Sequence, residues 1–134
     1  MKFVIDTNIL FTFFWQNSST KKLIQDKKIE LFSPLFALHE LSNYKSEIMQ
    51  KTKITKEEFT ILFNDLKKYV SFIPSKEYKS YQEQAKSLSP DKDDVDFIAL
   101  ALCYKCPLWS NDKDLKNIDE HTILTTKEII LLLS

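Results

Sequence analysis

Short apolar runs alternate along this chain with longer stretches of helical periodicity, and that alternation narrows the folds open to it more than any other feature. Residues 3–5, 29–33, 70–73 and 108–110 read as strands, and residues 122–124 as a short edge strand. Helix signals lie between them. Residues 8–15 start a helix, Ser18-Ser19-Thr20 caps one running through Lys28, and Pro34 suits the first turn of one reaching about Gln50. Thr55 and Glu58 form a capping box ahead of an apolar face of Phe59, Leu62, Phe63 and Leu66. Ser75 caps a helix to about Leu88, Ser89-Pro90-Asp91 makes a turn, and helices follow over residues 93–105 and 126–133. Strands joined through helices imply parallel crossovers, so the expected class is α/β. The architecture predicted is a three-layer α/β/α sandwich around a mostly parallel four- or five-stranded sheet. At 134 residues, without repeats or linkers, the chain is expected to form one domain over residues 1–134.

The chain contains no glycine. The Walker A loop, the G-x-G-x-x-G fingerprint and the G-x-S-x-G nucleophile elbow all need it, so those enzyme classes are excluded. All 19 cationic residues are lysine and the formal net charge is zero. There is no global basic field and no guanidinium fork, so phosphate contacts must come from lysines, hydroxyls or backbone N–H groups. Cys103 and Cys106 are spaced C-x-x-C, but zinc would need two more ligands and only His39 and His121 remain, neither at finger spacing. Cys103 closes an apolar helical run, where the helix dipole opposes a thiolate, so the pair reads as small core residues. Few cysteines and no apolar run of membrane-spanning length point to a cytoplasmic protein with no membrane partner.

The residues that carry chemistry are acids. Asp6, in Val4-Ile5-Asp6-Thr7-Asn8, directly follows a buried strand, and reads either as a helix cap or as a ligand oriented by Thr7 and Asn8. A HAD-type phosphatase would need a second Asp two residues on, where Asn8 stands. Glu40 shares its helical stripe with Phe36, Ala37, Asn43 and Tyr44. It is either a solvated helix edge or a carboxylate that needs a partner. Asp91, Asp93, Asp94 and Asp96 crowd together although one suffices for capping. Asp94 precedes Phe97 and Ile98 by three and four residues, which makes it the choice for an inward carboxylate, with Asp93 a close competitor. Asp112, in Ser110-Asn111-Asp112-Lys113-Asp114, is an Asx-type turn or a ligand beside the Ser110 hydroxyl, and Asp114 is expected to face solvent. Ligands of open parallel sheets bind beyond the carboxyl ends of the strands. Carboxylates gathered there repel one another unless a cation is present, and hard divalent ions take oxygen ligands.

In order and setting these residues resemble the PIN domain, the small nuclease fold that includes VapC-type toxins of toxin–antitoxin pairs. The resemblance runs from Val4-Ile5-Asp6-Thr7-Asn8 to Leu108-Trp109-Ser110-Asn111-Asp112. The stretch from Asp93 through Asp114 looks especially like the family's C-terminal signature. It implies Asp6, Glu40, Asp94 and Asp112 as a catalytic and metal-binding quartet, supported by Thr7, Asn8, Asp93 and Ser110. It further implies Mg²⁺ or Mn²⁺ as cofactor and endonucleolytic hydrolysis of RNA by a metal-activated water. The implied partners are an RNA substrate, an antitoxin protein and a second copy of the chain in a homodimer. Many members carry Gly after the Asp94 helix and Thr where Ser110 stands; here Lys105-Cys106-Pro107 fills the loop and serine keeps the hydroxyl. Lys21, Lys22, Lys51 and Lys53 are candidates to guide a strand, with solvated surface lysine as the default reading. The rival readings are a non-catalytic PIN-fold module that binds nucleic acid or protein, and a phospho-acceptor receiver domain. Receivers cluster two acids at the first strand and use a lysine after a late one, which Asp6 and Asp112 fit poorly.

Overall fold

Strands β1 (Lys2–Ile5), β2 (Glu30–Pro34), β3 (Val70–Ile73), β4 (Leu108–Trp109) and β5 (Ile123–Leu124) pair in the order β3-β2-β1-β4-β5. Every pairing is parallel. The computed structural model describes residues 1–89, 91–118 and 122–134, so the expected turn at Pro90 and the residue His121 lie outside the described residues. Phe3, Val4 and Ile5 of β1 are all buried. Successive strand side chains point to opposite faces, so continuous burial means that helices cover both sides of the sheet. This is the α/β sandwich that the alternation predicts, with five strands.

The strand order positions the site. From β1 the chain builds outward through β2 to β3, then returns to the other side of β1 for β4 and β5. That reversal leaves a crevice beyond the carboxyl ends of β1 and β4, where ligands of open α/β sheets bind. Ile5 pairs with Trp109, and the Asp6 N–H donates to the Trp109 carbonyl at 3.3 Å. The residues that follow the two strands therefore emerge side by side.

The helices are α1 (Thr7–Phe11), α2 (Ser19–Ile24), α3 (Leu35–Asn43), α4 (Lys45–Thr52), α5 (Lys56–Tyr69), α6 (Gln82–Leu88), α7 (Val95–Tyr104) and α8 (Thr126–Leu133). The capping box expected at Thr55 and Glu58 opens α5, and a second, Thr125 with Glu128, opens α8. None of the described helices is long and apolar enough to cross a membrane. Several boundaries differ from the sequence pattern. The helix read over residues 8–15 is Thr7–Phe11 followed by a 3₁₀ turn, and the one read from residue 93 starts at Val95 after the turn Lys92–Asp94. The helix expected to reach Lys28 ends at Ile24, because the Asp26 carboxylate accepts the Lys28 N–H at 2.8 Å and closes a turn. Pro34 does not enter a helix; it ends β2 opposite Ile73, in extended conformation. The long helix expected from there breaks at Tyr44 (φ −95°, ψ 17°), after Ser42 and Asn43, two residue types that favour helix ends over helix interiors. The helix expected from Ser75 starts at Gln82, after two 3₁₀ turns, Ser75–Glu77 and Lys79–Tyr81. Between those turns Tyr78 is buried and its hydroxyl donates to Asp96 at 2.9 Å, a tertiary bond that holds the chain away from helical geometry.

A chain without glycine must end its helices with other residues. Lys53 (φ 57°) and Lys105 (φ 53°) both adopt the left-handed conformation, closing α4 and α7. Lys105 sits in the loop where many PIN domains carry Gly, and a Cβ in that conformation costs about 1–2 kcal/mol. Lys105→Gly relieves this cost but makes the unfolded chain more flexible by roughly 0.5–1 kcal/mol. The expected net result is a gain of up to about 1 kcal/mol, read as a higher urea midpoint with an unchanged slope.

Candidate active site

At the crevice beyond β1 and β4 lies a cleft of about 660 Å³. Asp6, Thr7, Asn8, Glu40, Asp93, Asp94, Asp96 and Asp112 line it, with Phe11, Phe36, Tyr44, Phe97 and Lys92. Six carboxylates thus face one ammonium group. In sequence these acids are scattered over more than a hundred residues, and the parallel topology brings them to one edge of the sheet.

Asp6 caps α1, its Oδ1 accepting the Ile9 N–H at 2.9 Å, so the bland capping reading is present. Capping does not account for its surroundings, because the residue is only 8 % exposed and lies in the field of Asp112 and Asp94. Burial raises its pKa, while hydrogen bonds from the Ser110 hydroxyl and the Ile9 N–H pull it back and the Asp112 charge raises it further. Ser110 is itself buried, and its hydroxyl oxygen accepts the Asp112 N–H at 3.0 Å, so one side chain braces both acids. Asp112 also makes the Asx-type turn, accepting the Asp114 N–H at 2.9 Å, and Asp114 is exposed as expected.

The structure separates the crowd of acids before α7. Asp91 caps the 3₁₀ turn Lys92–Asp94 by accepting the Asp93 N–H at 2.9 Å. Asp96 is held by the Tyr78 hydroxyl at 2.9 Å and the Gln82 amide at 3.4 Å. Asp93 lines the cleft but is exposed. Asp94 is half-buried, and its pKa is pushed up to about 6, first by burial and then by the charges of Asp91, Asp112, Asp6 and Asp93. It thus feels the acids that follow both central strands. Glu40 reaches the cleft from α3, where its Oε1 accepts the Thr7 hydroxyl at 3.4 Å. The α3 stripe turns inward at Glu40 and ends at Tyr44, both in the same cleft wall.

Sequence reasoning missed three contributions. The bond between Tyr78 and Asp96 spans 18 residues and has no local signature. Lys92, at the cleft wall, has no sequence signal that sets it apart from the other lysines. The aromatic wall of Phe11, Phe36 and Tyr44 had only its helical spacing to mark it. Of the lysines named from the sequence, Lys51 lines the groove beside this cleft, while Lys21 lies over the Phe13 ring at 5.0 Å. The Cys106 thiol is buried and its pKa is pushed up to about 11 by that burial, which suits a core residue and not a thiolate.

The donor set is one of hard oxygens. Among the described residues no group of three or more His, Cys, Asp or Glu side chains is placed so that it could hold a metal ion. Mg²⁺ does not need such a group, because it keeps several waters and commonly binds through only one or two carboxylates. The mutual repulsion that raises Asp94 is what a divalent cation between these acids would relieve.

A parallel α/β sheet with a carboxylate-lined cleft at its switch point defines a class of fold and site, and the comparisons place the chain within it. A family model described as PIN domain matches residues 4–131, so the chain belongs to the PIN domain family. Among solved structures, the crystal structure of VapBC2 from Rickettsia felis bound to a DNA fragment from their promoter is similar, with a TM-score of 0.66 at 17% identity. The match covers 93% of this chain and 98% of the other, and shows a shared fold. No curated protein matches the chain.

Proposed function

We propose that this PIN domain is a divalent-metal-dependent endoribonuclease of the VapC kind, acting in the cytoplasm as the toxin of a toxin–antitoxin pair. The observation that carries the reading is the convergence of Asp6, Asp94 and Asp112 on one cleft, where burial and the Asp112 charge raise the pKa of both Asp6 and Asp94. Such an arrangement is costly without a counter-ion and is characteristic of functional sites. The likeness to a VapBC structure supports an antitoxin partner.

Asp6, Glu40, Asp94 and Asp112 would hold Mg²⁺ or Mn²⁺, which when bound supplies a Lewis acid that activates water and neutralises charge on a phosphodiester. The remaining work falls to the chain. Ser110 fixes the Asp6 carboxylate and the Asp112 backbone, so the two strand-end acids keep a common orientation. Thr7 restrains Glu40 across the cleft. Asn8, exposed at the cleft wall, offers amide N–H donors to a phosphate oxygen, and Lys92 offers an ammonium group. Asp93 adds negative potential at the rim, which draws cations and not RNA.

The test is an RNA cleavage assay with Mg²⁺ or Mn²⁺, repeated with EDTA and with Asp6→Asn. Internal cleavage that needs metal and Asp6 is expected. If the protein binds metal yet leaves every RNA intact, it is a non-catalytic PIN-fold module and the proposal fails.

A further inference from the structure

Beside the acidic cleft runs a second groove of about 570 Å³, lined by Asn8, Phe11, Trp15, Tyr44, Glu47, Ile48, Lys51 and Thr52. Asn8, Phe11 and Tyr44 belong to both hollows, so the two adjoin across a shared wall. From these juxtaposed aromatic side chains we propose that the groove is a base-stacking subsite for the nucleotide next to the scissile phosphate of single-stranded RNA. This rests on the nuclease reading of the acidic cleft and names how that site holds its substrate.

Trp15 is 47 % exposed, while Phe13 and Phe14 just before it are fully buried. The chain leaves the 3₁₀ turn Thr12–Phe14 in extended conformation at Trp15 (φ −84°, ψ 129°), which takes the indole out of the core. Tyr44 is also 47 % exposed and stands at the break between α3 and α4, contributing no side-chain cap to α4. Single exposed aromatics need no explanation, but Trp15 and Tyr44 line one groove together with Phe11, and an apolar patch of that kind marks a binding site. Their faces suit an unstacked nucleobase, which every base can offer.

Charge favours RNA held by stacking over RNA held by salt bridges. With no arginine and zero net charge, the chain has little of the electrostatic attraction that usually dominates nucleic-acid affinity. The cleft itself repels phosphate until a cation enters. Lys51 supplies a cation in the stacking groove, where Glu47 opposes it, and Lys92 supplies one in the acidic cleft. A strand bound across groove and cleft would thus rely on the aromatic faces, with one lysine in each hollow.

The protein carries its own probe. It has two tryptophans, and Trp109 is fully buried, so quenching by a polar solute reports Trp15. A short oligoadenylate titrated into the full chain with EDTA, and into Asp6→Asn with Mg²⁺, is expected to quench this emission. The quenching disappears in Trp15→Phe, where only Trp109 emits. In the cleavage assay, Trp15→Ala and Tyr44→Ala are expected to raise KM by roughly 5- to 150-fold, the effect of one lost base stack, with a smaller change in kcat. Trp15→Phe keeps most of the affinity because it keeps a ring.

Cleavage with normal KM in both alanine variants overturns the subsite and leaves the nuclease reading standing. Quenching by oligoadenylate in a protein that cleaves no RNA with any metal keeps a stacking groove but sinks the nuclease reading, and with it the substrate role proposed here. Quenching by a leucine-rich amphipathic helical peptide, and none by oligoadenylate, assigns the groove to a protein partner and overturns the proposal.

Discussion

Asp6→Asn is expected to lower metal-dependent RNA cleavage by at least about 100-fold while leaving the fold intact or firmer. The two halves of that result have separate causes. An asparagine at position 6 can still accept the Ile9 N–H through its amide oxygen, and Asn caps helices about as well as Asp. The substitution also removes a buried charge that desolvation disfavours and that Asp112 repels. In EDTA its melting temperature should therefore equal or exceed that of the parent. Loss of cleavage from a well-folded variant would tie the chemistry to the carboxylate itself. A variant that melts early would instead make the loss uninformative about catalysis, and Asp112→Asn, exposed and outside the core, then carries the same test.

The second large effect is the response of stability to metal and to pH. Asp94 has a pKa of about 6 in the fold against an ordinary value of 3.8, so the folded state binds this proton more tightly than the unfolded chain. Its contribution to stability is fully present below about pH 4 and is lost as pH rises through about 6. Metal-free protein should accordingly melt higher at pH 5 than at pH 7.5, and Asp94→Asn should flatten that difference. Mn²⁺ acts in the opposite sense, because it binds the ionised carboxylates. At a hundredfold excess over Kd it stabilises by about 2.7 kcal/mol, a rise in Tm on the order of 10 °C for a domain of this size. That gain should be largest above pH 7, fade as pH falls through about 6, and shrink in Asp94→Asn. Differential scanning calorimetry over this pH range, with and without Mn²⁺, reads all three.

What the sequence made legible follows from where the physics is local. Buried strands announce themselves as continuous apolar runs, so Val4-Ile5 and Leu108-Trp109 could be placed, and the acids just past them with them. The box at Thr55 and Glu58 is also local, as its mutual hydrogen bonds show. Breaks imposed by tertiary contacts were not legible. The two 3₁₀ turns around Tyr78 depend on a hydroxyl that finds Asp96. At Tyr44 the signal is local, in Ser42 and Asn43, but the apolar spacing runs on past them and masks it. The same bond is what distinguishes Asp96 from Asp94: in sequence they are two members of one acidic crowd, while in the fold one is tied to Tyr78 and the other faces Asp6 and Asp112. Glu40 lay between, since its stripe could be read but its Thr7 partner, 33 residues away, could not.

The Gly-free composition has a structural echo as well. It removes whole enzyme classes from consideration, and it also forces Lys53 and Lys105 into left-handed helix ends. The absence of arginine has a parallel consequence for the proposed function, under which RNA would have to be held by lysine, amide and aromatic groups.

Asp6, Glu40, Asp94 and Asp112, from four separate parts of the chain, are proposed to form one divalent-metal site. Anomalous scattering from a crystal soaked in Mn²⁺ would locate the ion. A manganese peak is expected in the cleft between Asp6, Asp94 and Asp112, and its loss in Asp94→Asn crystals soaked alike. A cleft without a peak, or manganese bound only at acids outside it, would overturn the assignment.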